Sequence, residues 1–327
     1  MNLPKGKGWF IWNVSACENG DPAAIAAVAR AAGISHVLIK IADGLIPWNG
    51  NLVAPVARAL RAIGVQVFGW HYVYSFSPIG EAAIAVNRMQ ELQLDGLVYN
   101  AEHQFRDNPN NRAAANTLLA RTRDRLPGIP IGLSSYRYPR YHPKFPWREF
   151  LFGVDFNMPQ VYWIHATNAG AQLRASYDEF RAMAPRLPFI PTGAAFKEHG
   201  WTSTPAQILD FLRTAQDIGL DAVNFWEWGH TRRNLPLNWE AVAQLPWAPA
   251  QLPEPVSPDE SGWQVQALVE GQNVRSGPGR SYPIVSKLTA GDMHPVLGVG
   301  GSDVWIEIAP GRYAAMQTGG KTYLKQV

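Results

Sequence analysis

Only one cysteine, Cys17, stands among 327 residues, which excludes an intrachain disulfide and a thiolate-rich metal site. Charge is scarce as well: Asp, Glu, Lys and Arg make up 17% of the chain, with a net charge of +3. The isoelectric point near 8.9 is mildly basic, but no Lys/Arg run is present, so nucleic acid is not the expected partner. No apolar run is long enough to insert in a membrane. The start, Met1-Asn2-Leu3-Pro4-Lys5-Gly6-Lys7-Gly8, lacks the apolar centre of a secretory leader. Zinc-ligand spacing, a Gly-rich phosphate loop and a nucleophile elbow are also missing; Ser134-Ser135 has no flanking glycines, so no metal and no cofactor are expected. What is abundant is tryptophan, 13 residues. Such large surfaces are used for packing or for stacking on a ligand.

From residue 8 to about 245, short apolar runs alternate with helical patterns eight times. The predicted strands are Trp9 to Val14, His36 to Ala42, Gln66 to Tyr74, Gly96 to Glu102, Pro130 to Tyr136, Phe156 to Trp163, Phe189 to Phe196 and Ala222 to Trp228. Near-continuous apolar runs are those of parallel strands covered on both sides. Asp21-Pro22 and Thr204-Pro205 read as helix starts, with Gly33 and Gly219 as stops, because a capping side chain followed by Pro suits a first turn. Further helices are expected at Leu52 to Ile63, Ile79 to Leu92, Arg112 to Arg125 and Ala171 to Met183. This rhythm predicts an α/β fold, a (β/α)8 TIM barrel, with a doubly wound open sheet as the alternative.

A Pro-rich linker, 246–260, separates the barrel (1–245) from a small all-β module (261–327). In that module Asn273-Val274-Arg275-Ser276-Gly277-Pro278-Gly279-Arg280-Ser281-Tyr282-Pro283-Ile284-Val285 resembles the signature of bacterial SH3-like domains, and the likeness continues through Leu288, Gly291, Trp305 and Tyr323-Leu324. Gly277-Pro278-Gly279 would turn the chain, and Val274, Ile284, Val285 and Leu288 are expected to point inward. The resemblance implies a tether to cell-wall peptide or glycan; a stabilising or oligomerising appendage is the alternative.

Active sites of such barrels lie at the C-terminal ends of the strands. The residues there are Asn13, Lys40, Asp43, His71, Tyr72, Asn100, Glu102, Ser135, Tyr136, Gln160, Tyr162, Thr192, Asn224, Trp226 and Glu227. Trp163 adjoins them, and alternation along the last strand puts Trp226 and Trp228 on one face with Glu227 on the other. Aromatic rings at these positions would offer flat faces to sugar C–H surfaces.

Phe10-Ile11-Trp12-Asn13-Val14-Ser15, Gly69-Trp70-His71-Tyr72-Val73-Tyr74 and Asn100-Ala101-Glu102 resemble the first, third and fourth strands of family 25 lysozyme-type glycoside hydrolases. That resemblance implies hydrolysis of an N-acetylated cell-wall glycan, with peptidoglycan or another polysaccharide as partner. Two positions depart from it: Asn13 and Asn100 stand where the family has Asp. Glycoside hydrolysis normally uses two carboxyl groups, and an amide brings no charge to a cationic transition state. The expectation is therefore a glycosidase with Glu102 as acid and Asp43 or Glu227 (otherwise Glu18 or Glu198), or the substrate's own acetamido group, completing the chemistry. Asn13, Asn100, His71, Tyr72, Tyr136, Gln160, Tyr162, Trp163 and Trp226 are the expected substrate contacts. The competing expectation is a carbohydrate-binding or structural protein that has lost hydrolysis. In either case the protein is expected to be made in the cytoplasm and to act at the wall or outside the cell.

Overall fold

The computed structural model describes residues 2–198, 200–247, 264–276, 279–280, 282–295, 298–300, 304–309, 312–318 and 321–326. It divides into two compact units, Met1–Ala250 and Gln251–Val327.

The first unit is a closed (β/α)8 barrel. Its strands are β1 (Gly6–Ile11), β2 (Ile34–Asp43), β3 (Gln66–Val73), β4 (Gly96–Ala101), β5 (Ile131–Tyr136), β6 (Phe156–Val161), β7 (Thr192–Ala194) and β8 (Ala222–Trp226). Each is parallel to its neighbours, and β1 pairs with both β2 and β8, which closes the sheet. All eight predicted strands are present, although β1 starts at Gly6 and ends before Asn13. The helices are α1 (Pro22–Ala31), α2 (Val53–Arg61), α3 (Pro78–Leu92), α4 (Asn111–Arg125), α5 (Trp147–Gly153), α6 (Ala169–Arg181), α7 (Pro205–Asp217) and α8 (Pro236–Gln244). Asp21 caps α1 through the amides of Ala23 and Ala24, and Thr204 forms a capping box with Gln207 at α7. α5, at 7 residues, is too short to show a helical period in the sequence.

The barrel is filled from within by Phe10, Leu38, Phe68, Trp70, Val98, Phe156, Met158, Ile190 and Ala222, all buried. Glycine makes room for the rings. A Cβ on Gly132 would lie 2.2 Å from Phe156, and one on Gly96 would lie 2.4 Å from Phe68. Outward-facing strand residues and the helices form the larger second layer of core. Lys7 of β1 is buried there and donates to the carbonyls of Val242, Ala243 and Leu245 at the end of α8, at 2.6–3.0 Å. Burial pulls its pKa down to about 8.

In the second unit the described strands are antiparallel. Gln264–Ala267 pairs with Met293–Pro295 and Leu324–Gln326, while Gln272–Arg275 lies between Ile284–Leu288 and Arg312–Thr318. Val265, Ala267, Val274, Leu288, Ile306, Ile308, Ala314 and Leu324 form its core. Val274 and Leu288 point inward as expected; Ile284 and Val285 do not, being about half exposed. They lie on an outer strand whose register slips beside Arg275, so the alternation read from the sequence is broken there. Gly277, Pro278 and Ser281 of the motif, and linker residues 248–260, lie outside the described residues.

Two histidines are buried within the barrel unit. His36 pairs with Asn224 and the Lys5 carbonyl inside the barrel, and His71 bonds the Gly44 carbonyl. Burial lowers both pKa values, that of His71 to about 4. The unfolded chain therefore binds more protons between pH 4 and 6.5, so stability is full above pH 6.5 and declines as the pH falls toward 4. Urea denaturation at pH 7.5 and 4.5 should show a loss on the order of 2–3 kcal/mol attributable to His71. A flat profile would mean that His71 is not held neutral.

Candidate active site

The strand ends on the C-terminal side open into a cavity of about 630 Å³. Its walls include Trp12, Lys40, Asp43, Trp70, Tyr72, Tyr74, Asn100, Glu102, Gln104, Gln160, Tyr162, Trp226 and Glu227. A volume of this order suits a small ligand or one to a few units of a polymer.

The acid at its centre is positioned by the end of β4. Asn100 is the last inward residue of that strand, and Glu102 follows as the first residue beyond it, with its carbonyl accepting from the amides of Phe105 and Arg106. This starts a short helix, His103–Asp107. Gln160 of β6 reaches across: its Nε2 lies 2.9 Å from Asn100 Oδ1, 2.9 Å from Glu102 Oε1 and 3.3 Å from Ser134 Oγ. One amide thus holds the Asn-x-Glu pair together. Tyr72 donates to Gln104 Oε1 at 3.0 Å. Burial, reinforced by the Glu102 charge, raises the pKa values of Tyr72 and Tyr162, so both keep their hydroxyl protons.

A second polar group lies on the same wall. Lys40 Nζ is 2.6 Å from Asp43 Oδ2, and Tyr74 donates to Asp43 Oδ1 at 2.7 Å. Burial would raise the Asp43 pKa, but the bonds from Lys40 and Tyr74 and the Lys40 charge outweigh it, and the net shift is downward. The Asp43 carboxylate in turn pushes Tyr74 up to about 12. Lys40 faces three indoles, its Nζ 4.3 Å from the Trp48 ring centre, 4.9 Å from Trp70 and 5.5 Å from Trp12. Cation–π attraction in this desolvated setting adds to the ion pair.

Of the sequence-derived candidates, Lys40, Asp43, Tyr72, Asn100, Glu102, Gln160, Tyr162, Glu198, Trp226 and Glu227 come together around this cavity. Asn13, His71 and Trp163 do not; Tyr136 is not part of the wall either, but it lies close enough to Glu102 that, beyond burial, that charge helps raise its pKa. Asn13 lies beyond β1 and accepts from Trp48 Nε1. His71 and Trp163 occupy the outward phase of the pleat, against Gly44 and Gln207. Tyr136 stacks on His142, ring centres 3.5 Å apart. The expected pairing of Trp226 with Trp228 is also corrected: β8 ends at Trp226, so Trp226 and Glu227 both line the cavity while Trp228 packs outward against Trp239. Glu227 caps the helix Trp228–Asn234 by accepting from the amides of Gly229 and His230. Glu18 is committed to Trp228 and Arg232, at 2.7 and 2.9 Å, away from the cavity. Gln104, Phe196, Lys197 and His230 were missed, since all four lie on loops or short elements beyond the strands.

No protein-family profile matches the chain. Part of it is 28% identical to the "Probable alcohol dehydrogenase EutG" of Salmonella typhimurium over 141 residues, 40% of this chain and 35% of that one. The chain thus spans about a third of the curated relative's length, which shows neither a family nor an activity. Solved structures share the barrel. The spore cortex-lytic enzyme SleL of Bacillus cereus superposes with a TM-score of 0.54 at 11% identity, covering 73% of each chain. A glycoside hydrolase family 18 N-acetylglucosaminidase from Paenibacillus barengoltzii gives 0.54 at 13%, covering 74% of this chain and 99% of its own. A mutant family 18 chitinase from Cycas revoluta in complex with (GlcNAc)4 gives 0.56 at 9%, covering 73% and 98%. At these identities the likeness establishes the (β/α)8 fold.

Lys40→Met should cost about 1–2 kcal/mol, less than a fully buried pair would, because Asp43 is partly solvated. It should also shift tryptophan emission, since the cation leaves three indole faces. Unchanged urea midpoint and emission would show that the Lys40–Asp43 contact is not formed.

Proposed function

We propose that the protein is a glycoside hydrolase acting on an N-acetylated glycan, with bacterial peptidoglycan as the substrate. The observation that carries this reading is the Glu102 carboxylate at the barrel's C-terminal rim, bridged through Gln160 to Asn100 within a cavity walled by Trp12, Trp70, Tyr72, Tyr162 and Trp226. Support comes from two of the fold relatives, one titled a spore cortex-lytic enzyme and another bound to (GlcNAc)4.

Glu102 protonates the glycosidic oxygen as the C1–O bond breaks. Two of the other carboxylates near the cavity are already engaged, Asp43 by Lys40 and Tyr74, and Glu227 by two backbone amides. Glu198, exposed in the short strand Lys197–Glu198, also lines the cavity, but the amides beside Glu102 favour the substrate's own acetamido carbonyl oxygen as nucleophile, closing on C1 to give an oxazolinium ion, a route used by some glycosidases in place of a second carboxylate. Asn100 and Gln160 hold that acetamido group by hydrogen bonds. Water then attacks C1, with Glu102 taking its proton as the ring C1–O bond of the oxazolinium breaks and the acetamido group is restored. Trp226 forms the apolar floor under the sugar. The C-terminal unit, whose motif resembles bacterial SH3-like domains, tethers the enzyme to the wall, where it acts outside the cytoplasm in which it is made. No helix among the described residues is long and apolar enough to cross a membrane.

Incubating the protein with peptidoglycan and with N-acetylglucosamine oligomers should release new reducing ends. Glu102→Gln should lower kcat by about 10²–10⁴-fold, the usual contribution of a positioned general acid. Asn100→Ala should lose about 10–100-fold, with a larger effect on N-acetylated than on de-N-acetylated substrate. Wall pelleting with no release by the wild type would instead favour a binding protein that has lost hydrolysis. Activity that survives Glu102→Gln would displace the acid.

A further inference from the structure

Glu81 is a buried acid that plays no part in the chemistry above. It lies in the first turn of α3, is 1% exposed, and does not line the cavity. Its Oε1 accepts from the amide of Tyr74 at 2.5 Å and its Oε2 from the amide of Ser75 at 3.2 Å. Those two amides, and no cation among the described residues, answer its charge. Burial raises its pKa against the lowering effect of the same two bonds.

The corner it grips, between β3 and α3, branches toward both halves of the cavity. On one side, the Tyr74 hydroxyl bonds Asp43, which holds Lys40 beneath the indoles. On the other, Ser75 Oγ donates to the Gln104 carbonyl at 2.9 Å, and Asn108 Nδ2 donates to Ser75 O and Oγ. Gln104 and Asn108 belong to the segment that starts at Glu102, and the Gln104 side chain accepts from Tyr72. Ser75 itself has φ 71° and is buried. A non-glycine residue in the left-handed region is strained and persists only where its surroundings fix it. The paired amides on Glu81 supply that fixing.

We propose that Glu81 is the positioning residue of this site: its carboxylate clamps the Tyr74–Ser75 corner, and through that corner it sets both the Lys40–Asp43 pair and the segment carrying Glu102. A cap acting on α3 alone would stabilise the helix and stop there. The clamp reaches two separate segments, one before β3 in sequence and one after β4.

Hydrogen exchange followed by mass spectrometry on the full chain separates the two roles without any ligand. In Glu81→Gln one amide keeps its acceptor while the other meets an NH₂ group. Exchange should rise about tenfold in residues 72–77 and also in 40–46 and 101–108, with the remaining barrel strands unchanged. Tyr74→Phe leaves the clamp intact and cuts one branch, so it should loosen 40–46 alone, and it serves if Glu81→Gln fails to fold. Faster exchange confined to 72–77 and α3, or Tyr74→Phe without effect on 40–46, would overturn the proposal. In the activity assay, which rests on the glycosidase reading, Glu81→Gln should lower kcat about 10–100-fold with KM little changed, because the acid is misplaced and not removed. A wild type that hydrolyses nothing overturns that reading and leaves the exchange result to decide the clamp.

Discussion

Closure of the sheet is the constraint on which everything else in the barrel unit rests. β1 must pair with β2 on one edge and with β8 on the other, and only then do the inward side chains of all eight strands converge. A closed parallel sheet has no free edge, and its interior is a packed core. The stack runs from Phe68, Phe156 and Ile190 upward to Phe10, Trp70 and Met158. It ends where the next inward positions are Asn100, Gln160 and Trp226. The cavity is therefore the place where apolar filling stops. Lys7 reinforces the closure chemically: its ammonium collects three carbonyls at the end of α8, the residues that the negative end of a helix leaves without partners. First strand and last helix are joined across 235 or more positions of sequence.

Within that frame the acids divide by what already holds them. Asp43 is tied to a cation and a phenol, Glu227 to a helix N-terminus, Glu18 to an indole and a guanidinium, and Glu81 to two amides. Glu102 has a single amide donor, and that donor is shared with its neighbour Asn100. A carboxyl group with spare hydrogen-bonding capacity inside an aromatic cavity can accept from a ligand when ionised, or donate to it when protonated, at little reorganisation cost. The engaged ones would first have to abandon bonds that support the fold. Hydrogen-bond occupancy thus sets Glu102 apart from the carboxylates that support the fold.

Much of this was legible in the sequence because the signal is local. Eight apolar runs give eight strands, and Asp21, Thr204 and Gln207 mark helix starts through bonds made within three residues. Asn100-x-Glu102 sits at a strand end, so its place on the rim follows from the fold. Several of the positions that fall away from the cavity do so through phase. His71 and Trp163 are adjacent to inward residues and so point outward. At β8 the strand ends one residue before Glu227, which frees that side chain to turn into the cavity and moves Trp228 to the outer layer. In the second unit Ile284 and Val285 are both about half exposed on the outer strand of their sheet. Since a shift of one residue reverses every side chain after it, strand ends are where pattern reading is weakest, and in a barrel of this kind they are also where the site lies.

Glu81 illustrates a different limit. In sequence it is an acid in the first turn of a helix, an ordinary position favoured by the helix dipole. Its significance depends on Ser75 taking a left-handed backbone conformation and on the chain after Glu102 returning to lie against that corner. Neither fact has a local sequence signature, because both arise from loop geometry imposed by the neighbouring strands β3 and β4. Pairing of those strands brings Tyr72 opposite Asn100 and Val73 opposite Ala101, so the residues that follow each must share space at the rim. Two loops so constrained can be ordered by one buried charge placed between them. With Asn100 an amide and Asp43 and Glu227 engaged, Glu102 is a carboxyl group whose placement depends on that shared order.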